Sequence, residues 1–69
     1  MVKYSVVFGR LNEFDTEEDT LTILKDGEVM EYRLDISLIN STDWEKKVEQ
    51  FLNKDVTLKL KDDQVYDVS

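Results

Sequence analysis

Asp15, Glu17, Glu18 and Asp19 crowd into one short stretch. Hard cations such as calcium or magnesium are held by several carboxylate oxygens converging on one point. The spacing does not follow the EF-hand pattern, and no glycine in the run lets the chain wrap around an ion. The run reads first as a solvated turn. It is only a weak metal candidate, and no metal or other cofactor is expected. A second constellation is basic and aromatic. Arg33, Lys59 and Lys61 share the outward parity of their strands, and with Tyr66 they are the candidates for single-stranded nucleic acid, which needs cations for phosphates and rings for bases. Outward lysines also discourage strands from pairing edge to edge, so a plain solvent face accounts for them equally. Tyr4, Phe8 and Tyr32 alternate in step with Val6, Met30 and Leu34, which assigns those rings to the core. Catalysis has little to work with. The chain lacks His and Cys, and Ser5, Ser37, Ser41 and Ser69 have no base in a recognisable arrangement. No catalytic residue is assigned, and an enzyme is not expected.

The bulk properties narrow the field. Sixty-nine residues make one domain, 1–69. Asp and Glu number 16 against 9 Lys and Arg, a net charge of −7. That balance opposes long-range attraction to nucleic acid and to anionic membranes. It permits a further reading, in which Glu13–Asp19 with Asp62, Asp63 and Asp67 imitate DNA phosphates and occupy a basic groove as a decoy. Without cysteine, neither a disulfide nor a thiolate metal site can staple the fold. No apolar run approaches the roughly 18 residues of a membrane span. The opening Met1–Phe8 reads as a strand and not as a signal peptide, so the expected location is the cytoplasm.

Periodicity supplies the elements that must position these residues. Residues 2–12 read as a long first strand with Tyr4, Val6 and Phe8 on the core face. A bulge at Gly9-Arg10 would then bring Leu11 to the same face. After the acidic turn, where Phe14 tucks over one end, Thr20–Lys25 is a second strand with Leu21 and Ile23 inward. Asp26-Gly27 is a type I′ hairpin signal. The third strand runs over Glu28–Ile36, with Met30, Tyr32, Leu34 and Ile36 on one face. Leu38 and Ile39 cover the core on the way to a helix. Thr42-Asp43-Trp44-Glu45 matches a capping box. Trp44, Val48, Phe51 and Leu52 follow at helical spacing, and Asn53 suits a left-handed stop. Val56, Leu58 and Leu60 point inward on a fourth strand, Asp55–Lys61. Asp62-Asp63 turns the chain into a short fifth strand paired back on the fourth, and a free edge on that last strand would invite strand addition.

Three strands, a helix and two strands is the order of a five-stranded OB-like barrel, with the helix between strands three and four. An SH3-like barrel is the alternative. The hairpins Thr20–Val29 and Asp55–Val65 resemble the small β-barrel modules of bacterial surface and envelope proteins and of uncharacterised prophage proteins. That resemblance implies a bacterial or phage interaction module. The expected function is therefore a non-enzymatic protein-binding or structural module, a subunit of a larger assembly with another protein as its partner. The alternatives are a single-stranded nucleic-acid binder of OB type and the acidic decoy.

Overall fold

Left-handed backbone conformations mark most of the reversals of this chain, and Asp, Asn or Gly occupies each of them. Short polar side chains tolerate that region because they hydrogen-bond locally. Asp26 (φ 52°) and Gly27 (φ 80°) form the predicted tight turn, with Lys25 paired to Glu28 across it. Asp62 (φ 51°) and Asp63 (φ 65°) do the same between Lys61 and Gln64.

A computed structural model describes residues 1–69. The strands are β1 (Tyr4–Asp15), β2 (Thr20–Lys25), β3 (Glu28–Leu34), β4 (Asp55–Lys61) and β5 (Gln64–Val68). Two short helices, α1 (Ile36–Ile39) and α2 (Trp44–Glu49), lie between β3 and β4. The protein is mainly β, with 14% of it helical. Its five strands form one sheet in the order β1-β2-β3-β5-β4, which closes on itself where β4 returns to β1. Closure is possible because β1 serves two partners. It pairs with β4 from Tyr4 to Arg10 and with β2 from Arg10 to Asp15. On the far side, β3 meets β5 in parallel only at Arg33–Gln64 and Leu34–Val65.

The interior is apolar, as the alternation of β2 and β4 requires. Leu21 and Ile23 are buried from β2, and Val56, Leu58 and Leu60 from β4. Val65, Val68, Leu34 and Leu11 join them, and Trp44 and Val48 of α2 close one end. Phe14 packs edge-on against Trp44, with ring centroids 6.2 Å apart. The stripe expected of the helix is met in part: Trp44 and Val48 lie on α2, whereas the helix ends at Glu49 and half-buried Phe51 and Leu52 lie in the turn after it.

Four expectations need correction. First, Tyr4, Val6 and Phe8 face outward, at 64%, 52% and 61% exposure, while Ser5, Val7 and Gly9 take the inner parity. Fully buried Leu11 sets that parity, and the unbroken ladder from Tyr4 to Arg10 carries it back along the strand. The register break lies between Leu11 and Glu13, not at Gly9-Arg10. Gly9 is small for another reason: a Cβ there would stand 2.9 Å from Ile23 Cδ1 and 3.2 Å from the Leu24 carbonyl.

Second, β3 stops at Leu34, and Ile36 is 69% exposed. Asp35 diverts the chain into α1. Its carboxylate accepts from the Ser37 N–H at 3.0 Å, and its own N–H donates to the Val65 carbonyl at 2.7 Å. Leu38 is buried as expected, on a helical turn too short to show periodicity. Met30, on the same parity as Leu34, is 40% exposed near the hairpin end. Third, the capping box does not form. Asp43 is left-handed (φ 60°, ψ 26°) and makes no side-chain cap, so α2 begins only at Trp44 and Thr42 lies outside it. Asn53 is left-handed as predicted (φ 64°), and its N–H donates to the Leu11 carbonyl at 2.8 Å. Fourth, the last strand is not a simple free edge, because Gln64 and Val65 are paired on both sides.

Candidate functional site

Reversing the parity of β1 changes what the outer surface contains. Tyr4, Val6 and Phe8 form an apolar row on it. Each sits directly across from a β4 residue, Tyr4 from Lys61, Val6 from Lys59 and Phe8 from Thr57. Lys61 in turn pairs with Gln64, and Gln64 with Arg33, so one cross-sheet row reads Tyr4, Lys61, Gln64, Arg33. In the neighbouring row, Lys59 pairs with Asp67, whose Oδ1 lies 3.2 Å from Lys47 Nζ on α2. Between Lys59 and Leu60 the pairing of β4 with β5 slips, leaving Tyr66 outside the regular register. Its ring meets Tyr4 edge-on at 6.0 Å.

Arg33, Lys59 and Lys61 are thus brought to one outer face, as their parity suggested, and Tyr66 lies there beside Tyr4. Tyr4 and Phe8 join them there. Tyr32 does not, being half-buried against the core. These two rings were misread because Tyr4, Val6 and Phe8 are more apolar than Ser5, Val7 and Gly9, and alternation alone puts the more apolar set inside. Counting back from Leu11 without a break gives the right answer.

The backbone adds a second feature. Lys3, two residues before Ser5, accepts from the Asp62 N–H at 2.8 Å, and Leu11 bonds Lys54 and Asn53. Odd-numbered residues of β1 therefore direct their N–H and C=O groups toward β4. In an antiparallel ladder the alternate residues direct theirs the other way. For Tyr4, Val6 and Phe8 no strand lies on that side, because pairing with β2 starts at Arg10. No backbone bond outside the ladders engages these three residues either. The first half of β1 is therefore an open edge. A second open edge, on β3 before Arg33, presents Val29 and Glu31.

The acidic turn is arranged differently from a metal site. Asp15 Oδ1 accepts from the Glu17 and Glu18 N–H groups at 2.8 and 3.2 Å. Nowhere do three or more acidic side chains converge in a geometry that would hold a metal ion. Glu13, Asp15, Glu17 and Glu31 instead line a groove of about 520 Å³ with Thr20 and Thr22. Asp35 is electrostatically distinctive. Hydrogen bonds from the Ser37 side chain and backbone, with a smaller pull from Lys61, hold its carboxyl below the usual carboxylate range. No helix is long and apolar enough to cross a membrane.

No protein-family model, curated protein or solved structure matches the chain.

Proposed function

We propose that this protein is a non-enzymatic protein-binding module with an OB-like barrel fold, and that the outer face and open edge of β1 are its binding surface. The barrel reading is supported by the strand order, by the double use of β1, and by the helical segment between the third and fourth strands. The functional reading is carried by the exposed row Tyr4, Val6, Phe8. A contiguous apolar patch on a small domain is characteristic of an interaction site. An open strand edge beside it offers main-chain hydrogen bonds to a partner. No His or Cys is present to complement the face with a catalytic base or nucleophile.

A second reading has one observation in its favour. Tyr4 and Tyr66 lie beside Lys59 and Lys61, the combination that single-stranded nucleic acid uses. The face on which OB barrels usually bind oligonucleotides, β2 and β3 with the turn after β1 and the turn between β4 and β5, carries Glu17, Glu18, Glu28, Glu31, Asp62 and Asp63 here against Lys25 and Arg33. That acidity, with a net charge of −7, favours the protein partner. An amide NMR titration with short single-stranded DNA at low salt separates the two. The expected result is an unchanged spectrum. Shifts at Tyr4, Lys59, Lys61 and Tyr66 that fade as salt rises would replace the protein-binding reading with the nucleic-acid one.

A further inference from the structure

We infer that the occupant of the open β1 edge is a second copy of this chain, the two first halves of β1 pairing antiparallel about a two-fold axis at Val6. This rests on the protein-binding reading and names its partner.

Self-complementarity is the main ground. Tyr4, Val6 and Phe8 are the residues whose backbone groups point to the open side. An antiparallel register centred on Val6 sets Val6 opposite its counterpart and Tyr4 opposite the other copy's Phe8. All the outward-pointing donors and acceptors then meet outward-pointing acceptors and donors. The side chains of the same residues form cross-strand aromatic pairs on one face, a favourable arrangement. An isologous contact of this kind closes after two copies and does not propagate.

Charge points the same way. Two chains of net charge −7 repel, so a contact between them must fall where like charges do not meet. Tyr4–Gly9 carries no charge at all, and in this register the flanking Lys3 lies opposite Gly9, while Arg10 is already paired with Leu24 of its own β2. On the open edge of β3 the residues that direct their backbone groups outward are Val29 and Glu31, and Glu31 places a charge there, a common defence against pairing. The β1 edge has no such guard. Shape supports the register as well. The second copy's Tyr4 falls beside Phe8, next to a groove of about 450 Å³ that Phe8 shares with Leu24 and Asp26. That groove offers a phenol ring an apolar wall and its hydroxyl a carboxylate acceptor. Stable interfaces take roughly 800 Å² from each partner, a large share of the 4835 Å² this chain exposes. One strand edge is smaller than that, so the dimer forms and dissociates with concentration.

Sedimentation equilibrium on the full chain from about 10 µM to about 1 mM, at two salt concentrations, reads the association directly. The dimer fraction is expected to rise with protein and with salt, since salt screens the mutual repulsion. In a mixed labelled and unlabelled sample, intermolecular NOEs should connect Tyr4 with Phe8. Val6→Lys places two cations face to face on the axis and should weaken association at least about tenfold with the fold unchanged by circular dichroism. Glu31→Asp, which keeps the charge on the other open edge, should leave it as it was. A monomer at the highest concentration, or a dimer indifferent to Val6→Lys, overturns the inference. With an unchanged spectrum in the DNA titration, either result would leave the protein-binding reading standing with a different partner. Salt-sensitive DNA shifts on this face would remove both.

Discussion

Trp44 and Asp35 show how much single residues carry in a domain of this size. Trp44 is 7% exposed and seals the end of the closed sheet with Phe14 against it. Truncation of a large aromatic in a core costs about 3–5 kcal/mol, and a domain this small has roughly 5 kcal/mol in all. Trp44→Ala should therefore be unfolded or nearly so by far-ultraviolet circular dichroism in urea. A variant hardly less stable than the parent would show that α2 is not what seals the interior. Asp35 acts through charge. Its pKa is depressed in the folded chain, so its contribution is present above the unfolded carboxylate pKa and lost as pH falls through the folded value. Asp35→Asn should lower the urea midpoint at neutral pH. The gap between parent and variant should close in acid below the usual carboxylate range. A gap that persists in acid would mean that shape, not charge, holds the Ser37 contacts.

The elements differ in how plainly the sequence announced them, and the reasons are local. Strand β4 was legible to the residue because Val56, Leu58 and Leu60 alternate with Thr57, Lys59 and Lys61. Asp26-Gly27 was legible because few other residue pairs accept that backbone. Strand β1 was not, since the face that looked apolar is the exposed one. Gly9 then drew attention as a bulge when its smallness serves close packing. Gly9→Ala should cost about 1–3 kcal/mol by overpacking against Ile23, and Ile23→Val in the same chain should recover part of it in urea denaturation. A neutral Gly9→Ala would mean that β1 and β2 have room to move apart. The helical segment was half legible. The apolar stripe is an interior demand and survived, whereas Thr42-Asp43-Trp44-Glu45 satisfied a capping pattern that the left-handed Asp43 pre-empts. Thr42→Ala should accordingly leave the urea midpoint within about 0.5 kcal/mol of the parent. A larger loss would place Thr42 in the cap after all. The candidate surface was legible in its basic half, from the parity of Arg33, Lys59 and Lys61, and hidden in its apolar half for the same reason as β1.

At the scale of the whole molecule, charge is the property the fold does least to neutralise. Against 16 acidic residues there is a single ion pair, Lys47 with Asp67, and both partners are partly exposed. Pairs of that kind contribute little, roughly 0–1 kcal/mol. The remaining carboxylates repel one another across a surface only 31 × 27 × 20 Å in extent. Raising sodium chloride from about 10 mM to about 0.5 M should screen that repulsion and raise the urea midpoint. A midpoint that falls would mean that local attractive pairs outweigh the net charge.

The double pairing of β1 also fixes an order of events while the chain is being made. Its second half can zip onto β2 as soon as Lys25 has left the ribosome, and β3 can follow from the Asp26-Gly27 turn. Its first half must wait until Lys61 has left the ribosome, almost the whole length of the chain later. Contacts between distant segments form late because the intervening loop must first be closed. A nascent chain therefore passes through a three-stranded meander whose leading strand is bare on both edges over its first half, Tyr4, Val6 and Phe8 on one side and Ser5, Val7 and Gly9 on the other. That is the stage at which this protein is most open to misassembly. A truncated chain ending at Lys54 should hold it there, with the meander formed and the first half of β1 unprotected in hydrogen exchange.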